Sequence, residues 1–471
     1  MSEPDRSRAT RPVRTPQPHV EELESRLVPS TAAVPQAVTF AGGLTPAQVR
    51  HAYGFDRISF NGVAGDGSGQ TIAIVTAYDD PTIATDLATF DRTFGLPAPP
   101  SFTKVALPGT AAVSPIWSLE TALDVEWAHA VAPGAKILLV EAPTGNLGDL
   151  ISAVNYARQQ PGVGVVSMSW GSAEIPAETY LDGTFTTPAN HTGVVFVAAS
   201  GDGGAAGALW PALSPNVLAV GGTQMAVDAF GDYIAESAWA GSAGGSSRYE
   251  SAPAAQRAVT GSAARTGPDV SYNAADYAVY TSVPVYGLAD WMTTGGTSAG
   301  TPQWAGLLAI ADQCRALAGK AALTNAVSAI YNLPATDFHD ITAGGNGALA
   351  ARMGYDAVTG RGTPYADRVV SGLVGTSSTT RTTTPTPAPT PTPTPKPTNS
   401  GLNLTFIAQR VASFLQKTTG GKTTPATTTR AVTATASWSA VRLPSGSAAF
   451  LGSSARVTDL WFAVQYSKRH Q

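Results

Sequence analysis

Five short apolar runs set the limits on what this chain folds into: Thr71 to Ala77, Lys136 to Glu141, Gly164 to Ser169, Gly193 to Ala199 and Val217 to Val220. Each is continuous rather than alternating, which is the pattern of a strand covered on both faces. Stretches of helical length lie between several of them: Ile83 to Phe94, Ser118 to Ala130, Leu147 to Gln159 and Tyr180 to His191. Strands alternating with helices predict an α/β fold, with a parallel sheet sandwiched between helices. Ahead of the first strand, Thr45 is placed to cap a helix that has Pro46 at its first position. Functional groups in such sheets collect beyond the carboxyl ends of the strands. Two polar, glycine-rich segments fall there, Ser169-Trp170-Gly171 and Ser200-Gly201-Asp202-Gly203.

At 471 residues the chain has room for about three domains, yet texture divides it differently. Residues 1–44 are polar and proline-bearing and read as a disordered N-terminal segment. They hold no apolar h-region, so no ordinary signal peptide is visible. Residues 45–375 carry the strand and helix pattern. Residues 376–400 are almost all Thr, Ser and Pro, the composition of an extended, O-glycosylatable linker. Residues 401–471 hold too little apolar material for a firm independent fold, and read equally as an anchoring or binding module and as a disordered tail. The net charge of −4 excludes a basic nucleic-acid footprint. The single cysteine, Cys314, excludes an intramolecular disulfide framework, and no run of about 18 apolar residues exists to span a membrane.

Chemistry gathers at Thr294-Gly295-Gly296-Thr297-Ser298-Ala299-Gly300-Thr301-Pro302. Glycines allow a sharp turn there, and the apolar run from Trp304 reads as a helix behind it. Ser298 would then sit at a turn-to-helix junction beside backbone N–H groups, as an acyl-transfer nucleophile requires. None of the six histidines occupies a setting suited to its base, and His129 reads as structural. Carboxylates offer an alternative. Glu120 and Asp124 are spaced i, i+4, one turn apart on one face of a helix, among Leu119, Leu123 and Trp127. Two close, buried carboxyls share a proton, so one acts as a base while the other orients it. A solvated acidic face that includes Glu126 is the plainer reading of the same residues. Asp202 follows a strand, where it is either an ordinary turn residue or, when neutral, a donor to an oxyanion.

Taken together, Ser298 in Gly-Thr-Ser-Ala with Pro302 four residues on, the Glu120…Asp124 helix leading to Ala130-Val131-Ala132-Pro133-Gly134-Ala135, and Ser200-Gly201-Asp202 after a strand resemble the sedolisin, or serine-carboxyl peptidase, family. Gln70 to Val75 with Tyr78-Asp79-Asp80-Pro81, and Pro268-Asp269-Val270-Ser271, are similar as well. The resemblance implies a subtilisin-like fold and a polypeptide substrate, with Ser298 as nucleophile and Glu120 as general base. It also implies that Asp124 holds Glu120 and that Asp202 joins the Ser298 N–H in the oxyanion hole. Phe338 to Thr342 and Met353 to Asp356 look like the family's calcium loop, which implies one Ca²⁺ on the Asp340 and Asp356 carboxylates and the Ile341, Arg352 and Gly354 carbonyls. Arg352 departs from the glycine common there. Only about 45 residues precede this region, fewer than the large propeptide that family members carry.

The expected function is therefore a serine-type endopeptidase or tripeptidyl-peptidase working at acidic pH, where imidazole is protonated and a carboxylate base still accepts a proton. A catalytically silent binding protein on the same fold is the alternative, although all four catalytic positions are present. A secreted monomer is expected, with its C-terminal segment a candidate for cell-surface or matrix anchoring.

Overall fold

The computed structural model describes residues 42–375 apart from 229. The N-terminal residues 1–41, the Thr/Pro linker 376–400 and the segment 401–471 lie outside the described residues. Leu44, on the near side of the boundary drawn at 45, forms a parallel bridge to Tyr277 and so belongs to the folded part.

The central sheet contains β1 (Thr71–Ala77), β2 (Phe102–Ala106), β3 (Lys136–Ala142), β4 (Val163–Met168), β5 (Val195–Ala199), β6 (Val217–Val227), β7 (Tyr233–Ala238) and β8 (Val270–Asn273). Its order is β8-β6-β5-β4-β1-β3-β2, all parallel, with β7 added antiparallel to β6. The predicted parallel sheet is thus present, with one antiparallel addition. From β1 the chain goes out to β2 at the edge, returns to β3 beside β1, then crosses to β4 on the other side and builds outward there. The crevice above the carboxyl ends of β1 and β4 is therefore the topological switch point, where α/β sheets bind ligands.

The inner strands β1, β3, β4 and β5 are buried along almost their whole length because helices cover both faces. In β1, Ile72 and Ile74 pack into one core, whereas Ala73, Val75 and Ala77 pack into the other. On the first face lie α3 (Pro115–Val131) and α5 (Thr297–Leu317), following α1 (Pro46–Tyr53) and α2 (Ile83–Phe94) in the chain. On the second lies α4 (Leu147–Ala157). Helices α3 and α5 run against one another, and Gly306 is what lets them do so: a Cβ there would stand 2.4 Å from Val131 Cγ2. A hairpin, β9 (Tyr277–Val285) with β10 (Leu288–Thr294), packs on α2 and α3 and delivers the chain into α5.

Thr45 caps α1 as expected, its side chain accepting the Gln48 N–H at 3.3 Å. The helix expected over Tyr180 to His191 is not formed. Pro176–Phe185 makes 3-10 turns and the rest is loop. Gly183 and Pro188 interrupt any longer helical run, and Asn190 takes a left-handed φ of 64°.

Candidate active site

Helix α3 carries the problem from which the site is built. Every residue from Ser118 to Val131 is buried, so its four ionisable groups, Glu120, Asp124, Glu126 and His129, all lie away from water. Two of them are fastened to backbone. Glu126 Oε2 accepts the Tyr280 N–H at 3.1 Å, and His129 Nε2 meets the Pro97 carbonyl at 2.7 Å. His129 is structural, as the sequence indicated, and Glu126 anchors the β9 hairpin rather than joining a solvated acidic face. Burial pushes the Glu126 carboxyl well up, and the Tyr280 N–H works against that rise.

Glu120 and Asp124 face the other way, toward the switch point. Asp124 Oδ1 accepts the Ser169 hydroxyl at 2.7 Å, while its Oδ2 is buried with no hydrogen-bond partner. Burial raises the Asp124 carboxyl well above the usual range, and the Ser169 bond opposes it. Glu120 is raised well up by burial first, then by the charges of Asp124 and Asp202. The Ser298 side chain lies alongside Glu120 and favours its charged form, although neither Glu120 oxygen is in a fully formed hydrogen bond. Contacts between an acid and a hydroxyl that could act together are often this loose before substrate binds. Among the described residues no cation neutralises the two acids, so the pair retains a proton into a pH range where isolated carboxyls have lost theirs.

Ser298 stands in the first turn of α5, 5% exposed. Gly296 precedes it at φ 108°, a conformation that favours glycine, and a Cβ there would lie 2.4 Å from Asp202 Oδ2. Asp202, in the loop after β5, is tied to the same turn: its Oδ1 accepts both the N–H and the hydroxyl of Thr297, each at 2.7 Å. Thr297 Oγ1 in turn accepts the Gly201 N–H at 3.2 Å. Ser298, the acid pair and Asp202 therefore lie together around Glu120. Sequence reasoning does not single out Thr297, although it adjoins Ser298, and it places Ser169 only in a polar segment beyond the carboxyl end of a strand. Trp170 of that segment is core: it is buried, and its Nε1–H donates to the Val75 carbonyl at 3.0 Å. The Ala238 to Ser247 stretch borders the Asp202 loop, with the Ala243 N–H on the Gly201 carbonyl at 2.9 Å.

Away from this site, the two acids of the calcium expectation close on one turn. Asp340 accepts the Gly354 N–H at 3.0 and 3.2 Å, and Asp356 accepts the Arg352 N–H at 3.0 Å. The carbonyls of Ile341, Arg352 and Gly354 accept no hydrogen bond among the described residues. Two carboxylates and three uncommitted carbonyls fit a hard, oxygen-seeking cation. Gly354 has φ 78°, whereas Arg352 is not among the positive-φ residues, so the turn does not need glycine at 352. Among the described residues no group of three or more His, Cys, Asp or Glu side chains is assembled for a metal, so backbone oxygens would have to complete any shell.

Comparison with known proteins bears on this arrangement. A family model described as the subtilase family matches residues 109–355. Kumamolisin from Bacillus sp. (strain MN-32) is 34% identical over 416 residues, covering 78% of this chain and 70% of its own. Sedolisin from Pseudomonas sp. (strain 101) is 32% identical over 251 residues, covering 47% of this chain and 41% of its own. The solved structure of Pseudomonas sedolisin, a serine-carboxyl proteinase complexed with two molecules of pseudo-iodotyrostatin, superposes with a TM-score of 0.60 at 25% identity. It covers 71% of this chain and 98% of that one.

Proposed function

This chain belongs to the sedolisin family of serine peptidases, and on that footing we propose that it hydrolyses peptide bonds in proteins at acidic pH through Ser298, Glu120, Asp124 and Asp202. Ser298 Oγ attacks the scissile carbonyl carbon as its proton passes to Glu120. Asp124, one helical turn away, holds Glu120 and stabilises the proton it gains. The carbonyl oxygen becomes an oxyanion, which takes hydrogen bonds from the Ser298 N–H and from a protonated Asp202. Glu120 then returns the proton to the leaving amine, and water releases the acyl group by the same steps in reverse. The observation that carries this reading is the buried, cation-free acid pair lying against Ser298.

Hydrolysis of denatured protein at about pH 4 by the full chain and by Ser298→Ala is the direct test. Activity in the wild type and none in the variant is expected; equal rates would leave the silent binding protein as the surviving reading. Mass spectrometry of the products distinguishes internal cleavage from removal of amino-terminal tripeptides.

We further propose that Asp340 and Asp356, with the Ile341, Arg352 and Gly354 carbonyls, hold one Ca²⁺ that fastens the 338–356 segment. Bound calcium there would supply folding stability rather than chemistry. Addition of Ca²⁺ should raise the melting temperature of the full chain and not that of Asp356→Ala; equal responses would remove the site. The low content of charged residues, 13%, and the Thr/Pro tract fit a secreted enzyme. Among the described residues no helix is long and apolar enough to cross a membrane.

A further inference from the structure

Ser169 follows directly on β4 and is only 8% exposed, with its hydroxyl between the two helices that carry the proposed triad. On one side is Asp124 Oδ1 of α3 at 2.7 Å, and on the other the Ser298 carbonyl of α5 at 3.4 Å. That carbonyl is available for a reason written into the chain. Its α-helical donor would be the backbone N–H of residue 302, which is proline and has none. The nucleophile's own carbonyl is thereby left facing a side-chain hydroxyl instead of closing the first turn. A serine hydroxyl holds a single proton, so it serves one strong acceptor at a time. The distances give that proton to Asp124, which marks Asp124 rather than the Ser298 carbonyl as its acceptor in this arrangement.

We propose that Ser169 is a positioning residue for the hydrolytic reaction: by donating to Asp124 it favours the charged form of that acid. This rests on the triad reading above. Once the pair has given up its shared proton, Glu120 is the site to which the Ser298 proton moves during attack. Without the Ser169 hydroxyl, Asp124 retains neither of its oxygens in a hydrogen bond, and the pair holds its proton more tightly. Glu120 is then in its proton-accepting form only at higher pH. Ser169 meets Asp124 of α3 and the Ser298 carbonyl of α5, and the charged group acting on the acid pair from outside it is Asp202. From its own strand, Ser167 is buried with its hydroxyl unpartnered, and Thr76 on the adjoining β1 is the same.

The experiment compares wild type, Ser169→Ala, Ser169→Thr and Ser298→Ala as full chains, measuring kcat and KM across the acidic range together with melting temperature. Ser169→Ala should lower kcat by roughly tenfold or more with little change in KM, as expected for a lost hydrogen bond to a charged group. The acid limb of its pH–rate profile should move to higher pH, and Ser169→Thr, which keeps the hydroxyl, should restore both. A wild-type kcat and profile in Ser169→Ala overturns the proposal. So does a fall in kcat with an unmoved acid limb, since that is what a merely structural serine gives. An active Ser298→Ala overturns the triad reading itself, which separates the two failures.

Discussion

Asp124 and Asp269 are both wholly buried aspartates, held in opposite ways. Asp269 takes one Arg265 N–H on each oxygen, both at 2.6 Å, with Gln256 Nε2 at 3.0 Å and the Ala219 N–H at 2.8 Å. Arg265 directs its other N–H groups at the carbonyls of Ala212, Ser214, Val217 and Thr266. Every charge there is answered, and the pair knits the β6 and β8 end of the sheet together. Asp124 has one hydroxyl, one orphan oxygen and a second acid one turn away. A buried charge with all its partners is a fastening, and it is costly to break only because the partner left behind is uncompensated. A buried acid short of partners strains the fold and persists where its proton has work to do.

The contrast is most sharply tested by Asp124→Asn. It should lower kcat by about 10⁴-fold, the scale seen when a triad orienter loses its charge. It should also leave the protein as stable at neutral pH as the wild type, or more stable by about 1 kcal/mol, because an under-partnered acid has gone. A large loss of stability would place Asp124 with Asp269 as a fastening. Arg265→Ala should do the reverse, costing about 3–5 kcal/mol in denaturant unfolding while the folded fraction keeps its kcat. Normal stability in that variant would dissolve the comparison from the other side.

The smallest effect is on pH. Burial, ahead of any neighbouring charge, raises Glu141 to about 7 and Glu250 to about 8 from an ordinary 4.5. The folded chain therefore holds protons that an unfolded chain gives up above pH 4.5. Stability from these groups is greatest below that value and declines as pH rises between about 4.5 and 8. Melting temperatures taken across this interval should fall steadily. A rise would mean that groups whose proton affinity is lowered in the fold outweigh these under-partnered buried acids.

Much of the fold and half of the site are legible in the amino-acid order alone. β1 and α2 occupy the residues the pattern named, Thr71–Ala77 and Ile83–Phe94, because a strand covered on both faces and an amphipathic helix write their burial into local order. The Glu120…Asp124 spacing placed both acids on one helical face, since i, i+4 is a property of the helix alone. Tyr180 to His191 failed because its composition is helical only up to the glycine and proline that break it. The roles of Thr297 and Ser169 were out of reach. One clamps a loop that lies 95 residues away in sequence, and the other donates to an acid 45 residues away beside a carbonyl 129 residues away.

The sequence by itself determined the layered α/β fold, the acid pair and the glycine-rich turn into the serine-bearing helix, because periodicity and turn chemistry act between near neighbours. Only the tertiary structure decided which buried acids are satisfied. Whether Asp269 meets an arginine and Asp124 a lone hydroxyl depends on how the strands and helices pack, and that is set by the whole core at once.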